Sequence, residues 1–268
     1  MLKPIGVFDS GIGGLTVVRE MVRLMPHEDI VYFGDTARMP YGGKSRKTII
    51  KYACESVDFL YSKNAKFIVA ACGTVSTVLE EVLKVFASPK YNIPILGVVG
   101  PSCELAVSLS KNHKIGIIGT VSAIRSEHYK FVIKKIDPNV QVFQNACPML
   151  APLIENGFSR KNDKTLANIA EIYIEPLLKE KIDTLILGCT HYPIIKEVIS
   201  KIAPSIKLID SGQAAAKKLC HLLTKSKLTS DKKTPGELTL YASDLTENFS
   251  ENTKLFLGKE TKLKLCKF

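Results

Sequence analysis

The sequence contains no tryptophan, no long apolar run and no CxxC cysteine pair. A transmembrane helix needs about 18 or more consecutive apolar residues, and because no such stretch occurs we expect no membrane-spanning segment and no membrane partner. The first residues lead directly into a strand-like run and then glycines, without the apolar segment and small-residue cleavage site of a signal peptide. We therefore expect a cytoplasmic protein.

Seven cysteines are spread through the 268 residues. An odd number at wide spacing, in a chain of this length, does not indicate a disulfide framework. Cys189 and His191 stand alone at close spacing, which provides too few ligands for a zinc ion. We expect no metal site, and we expect most of the cysteines to be small buried hydrophobic residues.

The positive charge of the chain is not clustered. There are 37 Lys and Arg against 26 Asp and Glu, a net charge of +11, and no basic run is interleaved with aromatic residues. Because proteins that bind nucleic acid concentrate their basic residues on one surface, we expect a lysine-rich surface and no nucleic-acid partner. A positive field modestly favours an acidic small substrate.

Short apolar runs alternate with segments of helical periodicity along the chain. IGVFDSG (5–11) and DTLILGC (183–189) are typical of the predicted strands, and a helix is predicted over 74–86. This alternation predicts βαβ units and a largely parallel sheet, and hence an α/β fold. VFDSG (7–11) is echoed by LIDSG (208–212), and two related α/β lobes would explain the echo.

Polar residues follow five of the predicted strands. Ligands of parallel α/β sheets bind beyond the carboxyl ends of the strands, so these positions predict a shared pocket. The clusters are Asp9-Ser10, Asp35-Thr36, Cys72-Gly73-Thr74, Thr120 and Cys189-Thr190-His191. The segment DSGIGG (9–14) lacks the third glycine of the dinucleotide fingerprint, and we expect it to suit a small anion such as a carboxylate instead.

Cys72 and Cys189 each follow a predicted strand and precede a predicted helix. A helix N-terminus lowers the pKa of a thiol from about 8.5 toward neutrality, which predicts two reactive thiols. Two matched thiols suit the transfer of a proton between the two faces of one carbon, as racemisation requires. From position alone, inert core cysteines, a hydrolase using Cys189 with His191, and an amino-acid-binding protein all stay open.

Six segments, in this order, resemble the aspartate/glutamate racemase family, and within it the glutamate racemases. They are FDSGIGGLTVVRE (8–20), GDTARMPYGGKS (34–45), AACGTVS (70–76), IGIIGTVSAIRSEHY (115–129), CPMLAPLIENG (147–157) and GCTHYP (188–193). The resemblance implies two similar doubly wound lobes with mainly parallel sheets and the active site in the cleft between them. The first lobe would comprise residues 1–98 plus 209–268, and the second 99–208.

The resemblance also implies an activity. It is the interconversion of L-glutamate and D-glutamate without a cofactor, by a homodimer that supplies D-glutamate for peptidoglycan synthesis. An aspartate racemase or a broad-specificity amino-acid racemase is the alternative. By resemblance, Cys72 takes the proton from D-glutamate and Cys189 takes it from L-glutamate. Asp9 would assist Cys72, while His191 and Glu155 lie on the Cys189 side. The implied substrate contacts are Asp9, Ser10, Pro40, Tyr41, Gly42, Gly73, Thr74, Thr120 and Thr190.

Gly73 departs from the family pattern, which usually has asparagine after the first cysteine. A glycine at this position predicts either an unfilled space or a backbone with positive φ, which asparagine tolerates. On both interpretations we expect Gly73→Asn to keep the fold and to retain racemase activity.

Overall fold

The computed structural model describes residues 3–87, 93–159, 162–245, 249–259, 261 and 263–266. The strands in these ranges are β1 (Ile5–Asp9), β2 (Ile30–Gly34), β3 (Phe67–Ala70), β4 (Ile95–Gly97), β5 (Lys114–Gly119), β6 (Gln141–Ala146), β7 (Thr184–Leu187), β8 (Lys207–Asp210), β9 (Leu238–Ala242) and β10 (Leu263–Leu265). The helices are α1 (Leu15–Leu24), α2 (Arg46–Ser62), α3 (Gly73–Ser76), α4 (Leu79–Val85), α5 (Val99–Leu109), α6 (Val121–Arg125), α7 (His128–Ile136), α8 (Leu150–Glu155), α9 (Lys164–Lys179), α10 (Lys196–Ile202), α11 (Ser211–Lys225) and α12 (Phe249–Leu257).

The strands form two sheets in the described part of the chain. The first has the order β10-β9-β2-β1-β3-β4 and the second has the order β6-β5-β7-β8. All the strand pairs are parallel, which confirms the predicted fold class. Strands β1, β3 and β7 are buried along their whole length, because helices cover both faces of a parallel sheet. We call each sheet with its helices a lobe.

The division into two lobes stays a prediction, but the boundary predicted between residues 208 and 209 moves by two residues. Ile209 and Asp210 belong to β8, where they pair with Ile186 and Leu187 of β7 in the second sheet. Because one strand cannot be divided between two sheets, the return to the first lobe follows Asp210 rather than Leu208. Residues 1–2 and 267–268, at the outer ends of the predicted first lobe, lie outside the described residues.

The helix predicted over 74–86 is interrupted, and that prediction was wrong. Helix α3 ends at Ser76 and α4 begins at Leu79. The Ser76 hydroxyl donates to the Cys72 carbonyl over 2.9 Å, and the Thr77 hydroxyl donates to the Thr74 carbonyl over 2.8 Å. Hydroxyl groups that bond to the preceding turn compete with the helical backbone, which favours a break here.

Apolar packing joins the two lobes. One cluster of buried residues contains Val7 of the first sheet and Ile118 of the second, with Leu15 of α1 and Leu219 of α11 between the lobes. The lobes therefore share a continuous hydrophobic core.

Among the helices of the described residues, none combines the length and apolar character that crossing a membrane demands.

The two lobes also meet through their backbones just beyond β3 and β7. A Cβ atom on Gly73 would overlap the carbonyl oxygen of Gly188 and would lie 3.5 Å from the hydroxyl of Tyr129. Gly73 begins α3 in the helical conformation and is not among the described residues with positive φ. Both expected explanations of this glycine were therefore wrong, since it permits the close approach of one lobe to the other.

We predict that Gly73→Ala and Gly73→Asn lower the free energy of unfolding by about 1–3 kcal/mol, because overpacking against a backbone oxygen forces the lobes apart. Gly100→Ala is the matched control. Gly100 lies in the first turn of α5 with open space around it, so alanine there should leave stability unchanged or raise it. Urea unfolding measures both effects, and a Gly73→Asn protein as stable as the wild type would contradict this account of the interface.

Candidate active site

A cavity of about 460 Å³ lies between the lobes at the carboxyl ends of the strands. Residues from both lobes line it, including Cys72 after β3 and Cys189 after β7. The expected site residues that line the cavity are Ser10, Pro40, Tyr41, Gly42, Cys72, Gly73, Thr74, Thr120, Glu155, Cys189, Thr190 and His191. Asp9 is buried at the end of β1 beside this cavity rather than in its lining. The polar strand ends thus converge, as parallel topology requires.

Cys72 is a buried thiol at the N-terminus of α3. Its Sγ donates to the Ser10 hydroxyl over 3.5 Å, and its side chain is almost fully shielded from solvent. Burial, reinforced by the negative charge of Asp9, raises the pKa of Cys72 to about 12. The expected lowering by the helix N-terminus was wrong for Cys72, because desolvation outweighs the start of a four-residue helix. Cys72 is therefore protonated at neutral pH.

Asp9 is held in place through only one of its carboxyl oxygens. Oδ2 accepts hydrogen bonds from the backbone N–H groups of Gly11, at 3.2 Å, and Gly14, at 3.0 Å. Oδ1 is buried and has no hydrogen-bond partner among the described residues. Burial raises the pKa of Asp9 above its ordinary value, although the charge of His191 and the backbone donors oppose this. One carboxyl oxygen of Asp9 is thus buried without a donor among the described residues.

His191 connects Cys189 to Glu155. Its Nε2 lies 2.7 Å from Glu155 Oε1, and its Nδ1 lies 3.6 Å from Cys189 Sγ. Burial opposes protonation of the ring, but attraction to Cys189 and hydrogen bonds to Cys189 and Glu155 prevail, and they raise the pKa of His191 to about 10. An imidazolium therefore stands beside the Cys189 sulfur at neutral pH.

Helix α12, which was not among the helices predicted from the sequence, supports this histidine. The Phe256 ring packs edge-on against His191 with 5.0 Å between ring centroids, and the Asn252 amide donates to the Glu155 carbonyl over 3.2 Å. These contacts join residues about 60 to 100 positions apart in the chain, so no local sequence pattern marks them. A residue of α12 thus contacts each member of the His191–Glu155 pair.

The loop that carries Pro40, Tyr41 and Gly42 forms the rim of the cavity. The Tyr41 hydroxyl donates to Asp35, whose carboxylate also accepts from Arg38 Nε at 2.7 Å and from the Ser243 hydroxyl at 2.9 Å. Asp35 and Thr36, expected in the pocket, do not line it. Asp35 instead lies behind the rim, where its carboxylate accepts hydrogen bonds from Tyr41 and Arg38.

Hydroxyl groups bring the two lobes together at this rim. The Thr74 and Thr120 hydroxyls lie 2.9 Å apart, and the Ser122 hydroxyl donates to the Gly42 carbonyl over 2.7 Å. Neither Ser122 nor Arg38 stands directly after a strand, so the sequence pattern does not mark them. The rim of the first lobe is therefore bonded to α6 of the second.

Among the described residues, the lining offers thiols, hydroxyls, backbone N–H groups and the His191–Glu155 pair, but no Lys or Arg side chain. Within the part of the chain that the structure describes, no group of three His, Cys, Asp or Glu residues is placed to hold a metal ion. Hydroxyls and N–H groups at helix starts bind carboxylates, and a thiol on each lobe can exchange a proton with a ligand between them. The arrangement suits proton transfer on a small polar substrate.

Comparison with known proteins identifies relatives along nearly the whole chain. A glutamate racemase from Chlorobaculum tepidum is 43% identical over 259 residues, which cover 96% of this chain and 93% of that protein. The crystal structure of glutamate racemase from Francisella tularensis in complex with D-glutamate has a TM-score of 0.90 at 39% identity, covering 99% of this chain and 97% of that one. A glutamate racemase isoform from Bacillus anthracis has a TM-score of 0.92 at 33% identity, covering 98% and 97%.

The family model described as Asp/Glu/Hydantoin racemase matches residues 5–219. This range contains Cys72, Cys147 and Cys189, the three cysteines that line the cavity, and most of both sheets. The chain therefore belongs to the Asp/Glu/Hydantoin racemase family.

Proposed function

We propose that the protein interconverts L-glutamate and D-glutamate by moving the α-proton between two thiols, Cys189 and Cys72. The observation that carries the proposal is that Cys72 of the first lobe and Cys189 of the second line the same cavity. A third thiol of the lining, Cys147, donates to the Asn145 carbonyl and has no such counterpart in the first lobe. The full-length similarity to proteins named glutamate racemases supports glutamate as the substrate, in preference to aspartate or a broad range of amino acids.

The proton transfer has two balanced steps. The Cys189 thiolate takes the α-proton of L-glutamate and becomes a thiol, which leaves an electron pair on the α-carbon. The Cys72 thiol gives its proton to the opposite face and becomes a thiolate, which completes D-glutamate. The reverse reaction uses the thiols in the opposite order. The raised pKa of Cys72 supports this assignment, since it keeps that thiol protonated and ready to donate.

We assign His191 and Glu155 to the Cys189 side. A positive imidazolium stabilises negative charge on a nearby sulfur, and Glu155 in turn stabilises the imidazolium. On the other side, the free Oδ1 of Asp9 can accept from the Cys72 thiol or from the substrate ammonium group. The two thiols thus work in different electrostatic surroundings.

Binding of the substrate carboxylates falls to neutral groups in this proposal. The substrate carboxylates would accept hydrogen bonds from hydroxyl groups and helix-start N–H groups. The hydroxyls are those of Ser10, Thr74, Thr120 and Thr190, and the residues Pro40, Tyr41, Gly42 and Gly73 complete the cavity wall. Because the Tyr41 hydroxyl already donates to Asp35, Tyr41 would contact the substrate through its ring or backbone.

The physiological part of the proposal is the supply of D-glutamate for peptidoglycan synthesis in the cytoplasm. All seven cysteines are free thiols in the structure, as is typical of a reducing compartment. Homodimerisation, and independence from cofactors, nucleic acid and membranes, stay predictions.

We predict that Cys72→Ala and Cys189→Ala each abolish racemisation in both directions, while each variant still removes the α-proton from one enantiomer. Glutamate carrying chloride on its β-carbon tests this, because removal of the α-proton by one base expels chloride and the enamine hydrolyses to 2-oxoglutarate and ammonium. Cys72→Ala should form 2-oxoglutarate from the L-configured analogue alone, and Cys189→Ala from the D-configured analogue alone. Cys103→Ala is the control, because Cys103 is a buried thiol that does not line the cavity. If both active-site variants processed the same enantiomer, the two-base assignment would be wrong.

We also predict that His191 stabilises the fold in a pH-dependent way. Because folding raises its pKa from an unperturbed value near 6.5 to about 10, its stabilising effect is complete below pH 6.5 and disappears as the pH rises through 10. Urea unfolding should therefore show a larger deficit of His191→Asn relative to wild type at pH 6 than at pH 10.5. His221→Asn, at an exposed position of α11, controls for the loss of an imidazole. A deficit equal at both pH values would contradict the proposed charge on His191.

A further inference from the structure

We infer that Thr16 is a positioning residue for Cys189, acting across the lobe interface through the carbonyl of Thr190. Thr16 lies in the first turn of α1 and is 2% exposed. Its hydroxyl oxygen lies 2.9 Å from the Gly13 carbonyl oxygen of its own lobe and 2.9 Å from the Thr190 carbonyl oxygen of the other lobe. The hydroxyl has one proton, which these two acceptors share.

The Thr190 carbonyl depends on this donor because of the sequence that follows it. In the turn after β7, the Tyr192 N–H donates to the Cys189 carbonyl and the Ile194 N–H donates to the His191 carbonyl, each over 3.1 Å. The corresponding donor for Thr190 would come from residue 193, which is proline and has no N–H. Thr16 supplies the hydrogen bond that Pro193 removes. The Gly13 carbonyl has a second donor, since it accepts from the Thr16 N–H over 3.0 Å.

The same contact explains the glycine at position 13. A Cβ atom on Gly13 would lie 2.6 Å from His191 Nδ1 and would also overlap the Thr190 hydroxyl. The first lobe therefore presents a close-fitting surface to Thr190 and His191 and a single hydroxyl to the Thr190 carbonyl. Because Thr190 stands between Cys189 and His191, the bond to its carbonyl restrains the backbone that carries both side chains.

Cys72 does not depend on this bond. Its segment belongs to the first lobe, and Ser10 and the start of α3 hold it. The loss of the Thr16 hydroxyl should therefore disturb proton removal by Cys189 while leaving proton removal by Cys72 intact. This inference rests on the proposed function, which assigns Cys189 to the L-enantiomer.

The test uses the β-chloroglutamate enantiomers with the full-length protein. Thr16→Val keeps the shape of the side chain and removes the donor. We expect it to slow 2-oxoglutarate formation from the L-configured analogue about tenfold, as for an unsatisfied buried carbonyl, and to change the rate with the D-configured analogue less than about twofold. Thr16→Ser retains the hydroxyl and should stay near wild type with both. Thr184→Val controls for the loss of a buried threonine hydroxyl that bonds elsewhere, to Asp183.

A second variant restores the missing donor from the other lobe. Pro193→Ala introduces an N–H that can reach the Thr190 carbonyl within the turn. The double variant Thr16→Val/Pro193→Ala should therefore recover most of the activity with the L-configured analogue. If Thr16→Val alone folds poorly, the double variant still tests the role of the hydroxyl, because it lacks that donor but regains one from residue 193. Equal losses with both enantiomers, no loss with either, or no recovery in the double variant would overturn the positioning role.

The cysteine variants separate this outcome from failure of the proposed function. If Cys189→Ala still processed the L-configured analogue, the assignment of Cys189 would be wrong and the inference would fall with it. If Cys189→Ala lost that activity while Thr16→Val kept it, the proposed function would stand and the role of Thr16 alone would be refuted.

Discussion

The close approach of Gly73 to the Gly188 carbonyl is the contact on which the site depends. Each glycine adjoins a cysteine in the chain, so the distance between the two lobes at this point also sets the separation of the two thiols. A side chain at Gly73 would push the two lobes apart. The hydroxyl of Thr16 and the bare backbone of Gly13 complete this interface on the Cys189 side. The separation of the lobes beside the two thiols is therefore set by close contacts of the backbone.

The two lobes resemble each other in topology but differ in electrostatics at their strand ends. Cys72 faces the buried carboxylate of Asp9, which together with desolvation favours the protonated thiol. Cys189 faces His191, whose pKa is raised to about 10 despite its burial and whose positive charge Glu155 balances. In the proposed mechanism, a protonated Cys72 thiol opposite a positive His191 suits the direction from L-glutamate to D-glutamate. The proposed mechanism uses neither a metal ion nor a cofactor.

The features that the sequence predicted well follow from periodicity and parallel topology. Alternating strands and helices identified the α/β fold, and residues directly after β1, β3, β5 and β7 converge because parallel strands end at one edge. The behaviour of Cys72 was not predictable from its position at a helix start, because the depth of burial decides its pKa. The resemblance, and not the residue pattern, singled out Glu155, which stands on a helix rather than at a strand end. Phe256 and Thr16 were missed, because their contacts arise only when distant segments pack together.

The origin of the proton in the product tests the two-thiol account most directly. Unlabelled L-glutamate is converted in D2O, the reaction is stopped at low conversion, and deuterium at the α-carbon is measured in both enantiomers. The account predicts that the D-glutamate formed carries solvent deuterium while the remaining L-glutamate stays largely unlabelled, with the converse result from D-glutamate. Product that retains the original proton, or substrate that acquires deuterium as fast as product forms, would show that one base serves both faces and would contradict the assignment of Cys72 and Cys189.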